Sequence, residues 1–522
     1  MRKLIWIITA LCAGNTFATI TPAGVFTDHT VLQQGEPVRI WGTADPDEKV
    51  TVIFSGQKKE TIADEAGKWM VTLDPMKASS EPQKLIFLSL TDNQRLEIQD
   101  VVIGEVWLAG GQSNMQTTMA SYRKTTQPDM DNANDPLLRM VTIPNKFYEE
   151  HNSTARPRWA KTTPQTVPSF SASAYYFAKN LRETLGVPVG IVACSVGGTP
   201  AESWMSRETL ESREDLKRII DAYDTYCEKN ITDLDAYIQK HQEYEKKLNE
   251  WGQKRAKGNA GPRPAEPMGP RFKNRPCSLF NNMLTQTIPY TIKGVIWYQG
   301  ENNANQQNSF FYRTVFSELI KEWRTDFQNK NLPFFFVQLA TYGPATDNGG
   351  FWPELRESQS WVEDNLKNTG MIVLTDGGEE KNIHPHSKDK VGRRLALLAR
   401  NMVYDEKDLV CHGPRLKKAK AKGGKITLTF TDTGSGLVLK PEAHSAFEIC
   451  GKDGEYVPAT AELIDEKIIV SAENVADPEY VRYGWKKWFV PTLFNKEGLP
   501  ASPFRTDDFE PETKGRFYLD NL

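Results

Sequence analysis

From about residue 100 to residue 405, apolar segments alternate with longer helix-like segments, and this alternation is the feature that most constrains the fold. The apolar segments are predicted strands, at 101–108, 189–193, 294–297, 334–338 and 371–374. Strands that are apolar along their whole length and are separated by helices form a parallel sheet covered on both faces. We therefore predict an α/β fold for this region, with ligand sites at the carboxyl ends of its strands.

Segments of β type flank the α/β region on both sides. Between residues 19 and 100, period-two alternation with regularly spaced polar turns predicts an N-terminal β-sandwich domain. The α/β region covers residues 101–407, and residues 408–522 are predicted to form a C-terminal β-rich domain. Within the α/β region, residues 206–271 form a polar insertion, in which apolar residues at helical spacing from Leu234 to Trp251 predict an amphipathic helix.

The first 18 residues have the form of a secretory signal peptide. Arg2 and Lys3 precede the apolar run 4–13, and the small residues that a signal peptidase needs end at Ala18. We expect cleavage there and a periplasmic or secreted protein. No membrane association is expected after cleavage, because no later stretch is long and apolar enough to span a bilayer.

Charge and cysteine content exclude two classes of function. The net charge is −3, from 64 basic and 67 acidic side chains, so no overall field favours nucleic acid. No pair of cysteines has metal-ligand spacing, and we expect neither a metal nor another cofactor. The sequence leaves the oligomeric state and any disulfide pairing open.

Residues 111–115, Gly-Gln-Ser-Asn-Met, directly follow the first predicted strand. A serine between glycine and small polar residues at a strand end lies where the backbone turns sharply and exposes the hydroxyl, as a nucleophile requires. The alternative for Ser113 is a turn that only caps the next helix.

Three further loops follow predicted strands and contain polar or glycine residues. The residues concerned are Gly197, Gly198, Gln299, Asn302 and His384. Because the carboxyl ends of parallel strands meet at one edge of a sheet, these loops are expected to lie close to Ser113.

The chain order of serine, amide-rich loop and histidine resembles that of the SGNH hydrolases, and the motifs resemble most closely the sialate O-acetylesterase family among them. Residues 195–204 resemble that family's glycine block, 28–42 its N-terminal β domain, and 498–505 its C-terminal signature. The resemblance spans nearly the whole mature chain. It implies an SGNH-type sheet with helices on both faces, in a secreted esterase that removes O-acetyl groups from sialic acids or related glycans.

The resemblance also implies roles for individual residues, because ester hydrolysis needs a nucleophile, a base and oxyanion donors. Ser113 would attack, and His384 would act first as base and then as acid. The amide of Ser113, one amide from Gly197 and Gly198, and the side chain of Gln299 or Asn302 would stabilise the oxyanion. We favour a donor role for Gln299, whose alternative is a buried amide that holds its loop.

One position departs from the SGNH pattern, which usually has an aspartate two or three residues before the histidine. This chain has Asn382 and Lys381 there. The candidates for orienting His384 are a backbone carbonyl or one of the following side chains: Asn382, Asp376, Glu379 and Glu380. We favour Asp376, because it follows a predicted strand and precedes two glycines that could let the loop fold back.

The sequence is also compatible with other functions. Residues 193–197 resemble the nucleophile elbow of the α/β-hydrolases, with Ser195 as the nucleophile. A non-catalytic carbohydrate-binding protein on an esterase scaffold would fit Asn382 and the 13 tryptophans. The substrate could also be an acetylated plant polysaccharide such as acetylxylan. A sialic acid carries a carboxylate, for which Arg158 and Arg275 are candidate partners.

Overall fold

A computed structural model describes residues 20–89, 94–151, 155–256, 258, 261–344, 351–441 and 446–516. Its centre is a mixed sheet that contains the path β10-β9-β11-β8-β12-β13-β14. The strands of that path are β8 (Arg95–Gly111), β9 (Asp135–Thr142), β10 (Trp159–Thr162), β11 (Val189–Ser195), β12 (Gly294–Tyr298), β13 (Phe334–Val337) and β14 (Thr369–Ile372). All neighbours on it are parallel except β9 and β10. From β8 the chain passes to β9 and β10 on one side and returns to β11 next to β8. It then crosses to β12, β13 and β14 on the other side, which makes β8 the topological switch point.

Both faces of this sheet are covered by helices, as the sequence predicts. Along β8, Trp107 and Ala109 pack in one core with helices α3 and α10. Val106 and Leu108 point to the opposite face and pack in a second core with α5 and α8. The helices are α1 (Ser113–Gln116), α2 (Arg123–Asp131), α3 (Ala172–Leu185), α4 (Arg207–Glu211), α5 (Glu214–Asn230), α6 (Leu234–Ala256), α7 (Ser278–Asn282), α8 (Tyr312–Asp326), α9 (Phe351–Asn365) and α10 (Lys388–Met402).

The N-terminal strands are joined to the central sheet through β8. They are β1 (Thr21–Pro22), β2 (Val31–Gln33), β3 (Val38–Thr43), β4 (Lys49–Phe54), β5 (Gln57–Ile62), β6 (Lys68–Leu73) and β7 (Ser79–Ser89). Strands β1, β3 and β6 form a separate sheet, whereas β7 pairs with β4 and with the first half of β8. The boundary predicted at residues 100–101 therefore falls inside one continuous strand.

The C-terminal part consists of three small sheets around their own core. Their orders are β15-β16-β21-β20, β17-β23 and β19-β18-β22-β24. The strands are β15 (Arg415–Lys422), β16 (Lys425–Thr431), β17 (Leu437–Leu439), β18 (Phe447–Cys450), β19 (Val457–Pro458), β20 (Thr460–Ile464), β21 (Lys467–Ser471), β22 (Tyr480–Tyr483), β23 (Leu493–Asn495) and β24 (Phe504–Arg505). The predicted β-rich C-terminal region is thus present.

The polar insertion forms helices α4 to α6 and continues into an irregular segment, residues 261–277, which we call the strap. The buried face of α6 consists of Tyr237, His241 and Tyr244. Leu234, with which the predicted apolar stripe begins, is instead 55% exposed at the first turn of the helix.

Across the described ranges, no helix is long and apolar enough to cross a membrane. The predicted signal peptide, residues 1–18, lies outside the described residues.

Candidate active site

Three neighbouring strands end at the same level and bring their loops together. Gly111, the last residue of β8, pairs with Ser195 of β11 and with Tyr298 of β12. A Cβ atom on Gly111 would lie 2.2 Å from the carbonyl oxygen of Tyr298, and the φ of Gly111 is +128°. Only glycine fits this approach, so the chain can turn here and begin α1 at Ser113.

Ser113 and His384 are in direct contact at this edge of the sheet. The distance from Oγ of Ser113 to Nε2 of His384 is 2.9 Å. Burial, followed by repulsion from Lys388 and Arg255, lowers the pKa of His384 below its ordinary value. The ring is therefore neutral near pH 7, and its Nε2 can accept the hydroxyl proton.

The carboxylates predicted to orient His384 bind other groups. Asp376 accepts hydrogen bonds from Arg394 at 2.6 and 2.7 Å and from Lys390 at 3.2 Å. Oε1 of Glu379 accepts from Nδ1 of His386 at 2.7 Å. Asp376 is thus committed to an ion pair beneath α10, which corrects the preference given to it above.

The remaining two candidates do not contact the imidazole ring either. Asn382 binds the backbone of His384: its Oδ1 accepts from the His384 amide at 3.0 Å, and its Nδ2 donates to the His384 carbonyl at 2.8 Å. The side chain of Glu380 is exposed. Among the described residues, the hydrogen bond of the His384 ring is the one to Ser113, and no side chain accepts from Nδ1.

The glycine loop after β11 lies beside Ser113. Of its two glycine amides, the structure shows a hydrogen-bond acceptor for one, and no described residue accepts from the other. The amide of Gly197 donates to Oε1 of Gln116 at 2.8 Å. No acceptor within the described ranges binds the amides of Ser113 and Gly198. These two amides are therefore able to donate to a bound ligand. Asn302 donates through Nδ2 to the carbonyl of Gly198 at 3.0 Å, and it lines a cavity together with Ser113 and His384.

Gln299 is fully buried, and its amide is used within the protein. Its Nε2 donates to Asn303 at 2.7 Å and to the carbonyl of Thr199 at 3.2 Å, and its Oε1 accepts from Tyr312 at 2.9 Å. Because both amide hydrogens have protein acceptors, this geometry corresponds to the alternative role, an amide that holds the loop. That corrects the preferred assignment of Gln299 as an oxyanion donor.

A buried network beneath the serine links three of these loops, and sequence reasoning missed it. Asn114 accepts from Nζ of Lys388 at 2.5 Å and donates to Glu301 at 2.5 Å and to the carbonyl of Ile383 at 3.0 Å. Burial lowers the pKa of Lys388 to about 7 and raises the pKa of Glu301. The network holds the loop before His384 against the turn that carries Ser113.

A cavity of about 1080 Å³ opens above Ser113 and His384. Helix α6 and the strap form its roof and contribute most of its charged side chains: Glu245, Arg255, Arg263, Glu266, Arg271 and Lys273. The two arginines suggested from sequence are placed differently. Arg158 is exposed outside this lining, and Arg275 donates to the carbonyl of Phe147 at 2.6 Å.

Two further site hypotheses concern Ser195 as the nucleophile and a bound metal ion. Ser195 is the last residue of β11, and no histidine in the described part of the chain hydrogen-bonds its hydroxyl. Within the same residues, no group of three or more histidine, cysteine, aspartate or glutamate side chains could hold a metal ion.

Comparison with known proteins agrees with this geometry. Residues 103–237 and 270–401, more than half of the chain, match the family described as carbohydrate esterase, sialic acid-specific acetylesterase. The chain belongs to this family. It is 30% identical to the sialate O-acetylesterase of Mus musculus over 92% of this chain and 93% of that protein, and 27% identical to that of Homo sapiens over 96% and 94%. This esterase-family chain is therefore a carboxylic ester hydrolase, and its relatives point to acetylated sugars.

A solved structure supports the same assignment. The carbohydrate acetylesterase of Xanthomonas citri superposes with a TM-score of 0.77 at 33% identity, covering 94% of this chain and 100% of that one. The family match leaves out residues 238–269, which comprise most of α6 and the start of the strap. Ser113 and His384 thus lie within the matched segments, whereas much of the cavity roof does not.

Proposed function

We propose that this chain is a secreted SGNH-type serine esterase that removes O-acetyl groups from sialic acids or closely related acetylated glycans. The observation that carries the proposal is the 2.9 Å contact between Ser113 and His384 on the floor of a large cavity. Ser113 follows β8 at the switch point, and His384 follows β14 at the same carboxyl edge of the parallel strands, which supports the SGNH arrangement.

The reaction follows from the contacts of these residues. Ser113 Oγ attacks the acetyl carbonyl carbon as Nε2 of His384 takes its proton. The negative carbonyl oxygen is held by the amides of Ser113 and Gly198. The bond to the sugar oxygen then breaks, and His384 returns the proton to that oxygen. Water repeats the sequence on the acetyl-enzyme, releasing acetate and restoring Ser113.

We infer that His384 works without a carboxylate partner. Its ring is oriented by the Ser113 contact and by a loop that Asn382 fixes through the backbone. A carboxylate would stabilise the imidazolium that forms during the attack, and its replacement elsewhere costs orders of magnitude in turnover. This enzyme would therefore depend more on a rigidly placed His384 loop than an enzyme with a full Ser-His-Asp triad does.

Arg271 is our candidate for the carboxylate of a sialic acid. Its guanidinium lies over the Tyr148 ring at 4.8 Å, and its nearest acid is Glu150 at 3.8 Å. A guanidinium has its donors in one plane, which suits a bidentate contact with a carboxylate, and contact with the ring restricts its movement. This feature of the roof favours an acidic sugar over the neutral backbone of xylan.

The proposal is tested by measuring acetate released from O-acetylated sialoglycan and from acetylated xylan at equal acetyl concentration. We expect the sialoglycan to be the better substrate, and the Ser113→Ala variant to release acetate from neither. Faster acetate release from xylan would indicate that the substrate is a plant polysaccharide and not a sialic acid. No hydrolysis of either substrate or of p-nitrophenyl acetate would favour a carbohydrate-binding protein instead.

A further inference from the structure

The strap holds the glycine loop of the oxyanion site through two consecutive backbone carbonyls. Nζ of Lys273 donates to the carbonyl of Gly197 at 2.7 Å, and Nδ2 of Asn274 donates to the carbonyl of Gly198 at 2.8 Å. Lys273 is only 9% exposed and lines the catalytic cavity. An ammonium group is costly to bury, so its placement against a backbone carbonyl indicates a specific role.

The carbonyl that Lys273 holds belongs to the same peptide unit as the amide of Gly198. In a trans peptide the carbonyl and the amide hydrogen point in opposite directions. Fixing the Gly197 carbonyl therefore fixes the direction of the Gly198 N–H, which has no acceptor among the described residues. A charged donor also polarises the peptide, which strengthens that N–H as a donor.

We propose that Lys273 is a positioning residue for the oxyanion hole: its ammonium group holds the Gly197–Gly198 peptide so that the Gly198 amide faces the ester oxygen bound at Ser113. The proposal rests on the Ser113–His384 mechanism given above. The strap would then have two roles: it forms part of the cavity roof, and its Lys273 positions the glycine loop beneath that roof.

The surroundings of Lys273 make this role sensitive to pH. Burial lowers its pKa to about 8; Glu266 opposes this change, and Arg263 adds to it. Glu266 accepts from the Lys273 amide at 2.8 Å and is contacted by Tyr244 of α6 at 3.4 Å. The ammonium form exists below the pKa, so turnover is expected to fall as the pH rises through about 8.

The test compares wild type, Lys273→Met and Lys273→Arg on p-nitrophenyl acetate from pH 6 to 10, with the uncatalysed rate subtracted. For Lys273→Met we expect kcat to fall by about tenfold to a hundredfold with little change in KM, because a positioning effect is smaller than loss of an oxyanion donor. We also expect this variant to lose the decline in kcat near pH 8. Lys273→Arg should recover most of kcat and carry it to higher pH, because arginine stays charged.

Controls separate this proposal from the mechanism on which it rests. Lys293→Met, at the opposite end of β12, should leave kcat and its pH profile unchanged. A Lys273→Met variant with wild-type kcat and pH profile, alongside an inactive Ser113→Ala, would overturn the role of Lys273 alone. Turnover retained in Ser113→Ala would instead contradict the mechanism.

A second variant covers the case in which Lys273→Met does not fold, as judged by circular dichroism and thermal melting. Glu266→Gln keeps an oxygen that can accept from the Lys273 amide, but it removes the negative charge that opposes the fall in the pKa of Lys273. We therefore expect the decline in kcat to move from about pH 8 to lower pH in this variant. A decline that stays at the wild-type pH in Glu266→Gln would then contradict the proposal.

Discussion

The floor and the roof of the catalytic cavity are built differently. The floor consists of the loops after β8, β11, β12 and β14, whose Asn114, Gln299 and Lys388 side chains are buried and hydrogen-bonded. On the roof, Arg255 and Arg263 are exposed. Both ring nitrogens of the buried His241 lack a hydrogen-bond partner among the described residues.

This difference indicates that the floor carries out the reaction and that the roof binds the substrate. A floor whose polar groups are already paired holds its atoms in place and loses little order during the reaction. A roof with exposed guanidinium groups presents them to a ligand. The family match agrees, since it includes the floor and omits residues 238–269 of the roof. Floor substitutions should therefore lower kcat, whereas roof substitutions should raise KM and alter substrate preference, with Lys273 as the exception that connects the two.

The largest effect is expected for the nucleophile. Ser113→Ala should lower kcat by at least about a thousandfold, as loss of a catalytic serine does elsewhere. The melting temperature should stay near that of wild type, because a small hydroxyl at a strand end adds little packing. Ser195→Ala is the matched control and should keep near-normal turnover; the reverse pattern would restore the nucleophile-elbow hypothesis.

The second effect concerns the loop that carries His384. Nδ2 of Asn382 donates to Glu379 at 3.0 Å as well as to the His384 carbonyl. Asn382→Asp would replace this donor by a carboxylate facing another carboxylate. We expect kcat to fall by about tenfold or more, because like charges in contact repel and the loop must shift. An increase in kcat would show that position 382 can supply the missing triad acid.

Asp376 provides the contrast to Asn382. Its ion pair with the buried Arg394 ties the turn after β14 to α10, and its hydrogen bonds are with Arg394 and Lys390 rather than with His384. Asp376→Asn should destabilise the fold by about 3 kcal/mol, because it leaves a buried guanidinium without its counter-charge. At a temperature where the variant is folded, kcat should stay within about threefold of wild type. A far larger loss of kcat in the folded variant would return Asp376 to the catalytic machinery.

A smaller and substrate-dependent effect is expected on the roof. Arg271→Ala should raise KM for O-acetylated sialic acid by about tenfold, the size of one lost charge-assisted contact, and leave p-nitrophenyl acetate turnover unchanged. Arg271→Lys keeps the charge but not the planar fork, so its KM should be intermediate. Equal KM values in all three proteins would mean that Arg271 does not contact the substrate carboxylate.

The smallest effect is a displaced acid limb in the pH profile. His384 acts as a base when neutral, and burial lowers its pKa below 6.5. Activity should therefore be retained between pH 6.5 and the decline expected near pH 8, and it should fall as the pH drops through the lowered pKa of His384 in the folded enzyme. A profile of kcat/KM against pH measures this limb, and a midpoint above 6.5 would instead indicate a nearby carboxylate that stabilises the imidazolium.

The features of the fold and site that depend on neighbouring residues could be predicted from the sequence. Contacts between residues far apart in the chain could not. Five of the seven strands on the path of the central sheet were predicted, because fully apolar segments have few alternatives, whereas β9 and β10 were not. Ser113 and His384 could be singled out because each lies in a short recognisable motif. The role of Gln299 was misassigned, since its partners at Thr199 and Tyr312 come from separate loops and helices. Lys388 carried a usable signal: it is a charged residue on the buried face of α10 with Val391 and Leu395. Lys273 offered none, because its contact depends on how the strap folds back.

The most direct test of the account is covalent trapping of the nucleophile. We would treat wild type and Ser113→Ala with a fluorophosphonate and map the adduct by peptide mass spectrometry. The account predicts a single adduct on the peptide containing Ser113 in wild type and none in Ser113→Ala. An adduct on Ser195, or labelling that persists in Ser113→Ala, would contradict it.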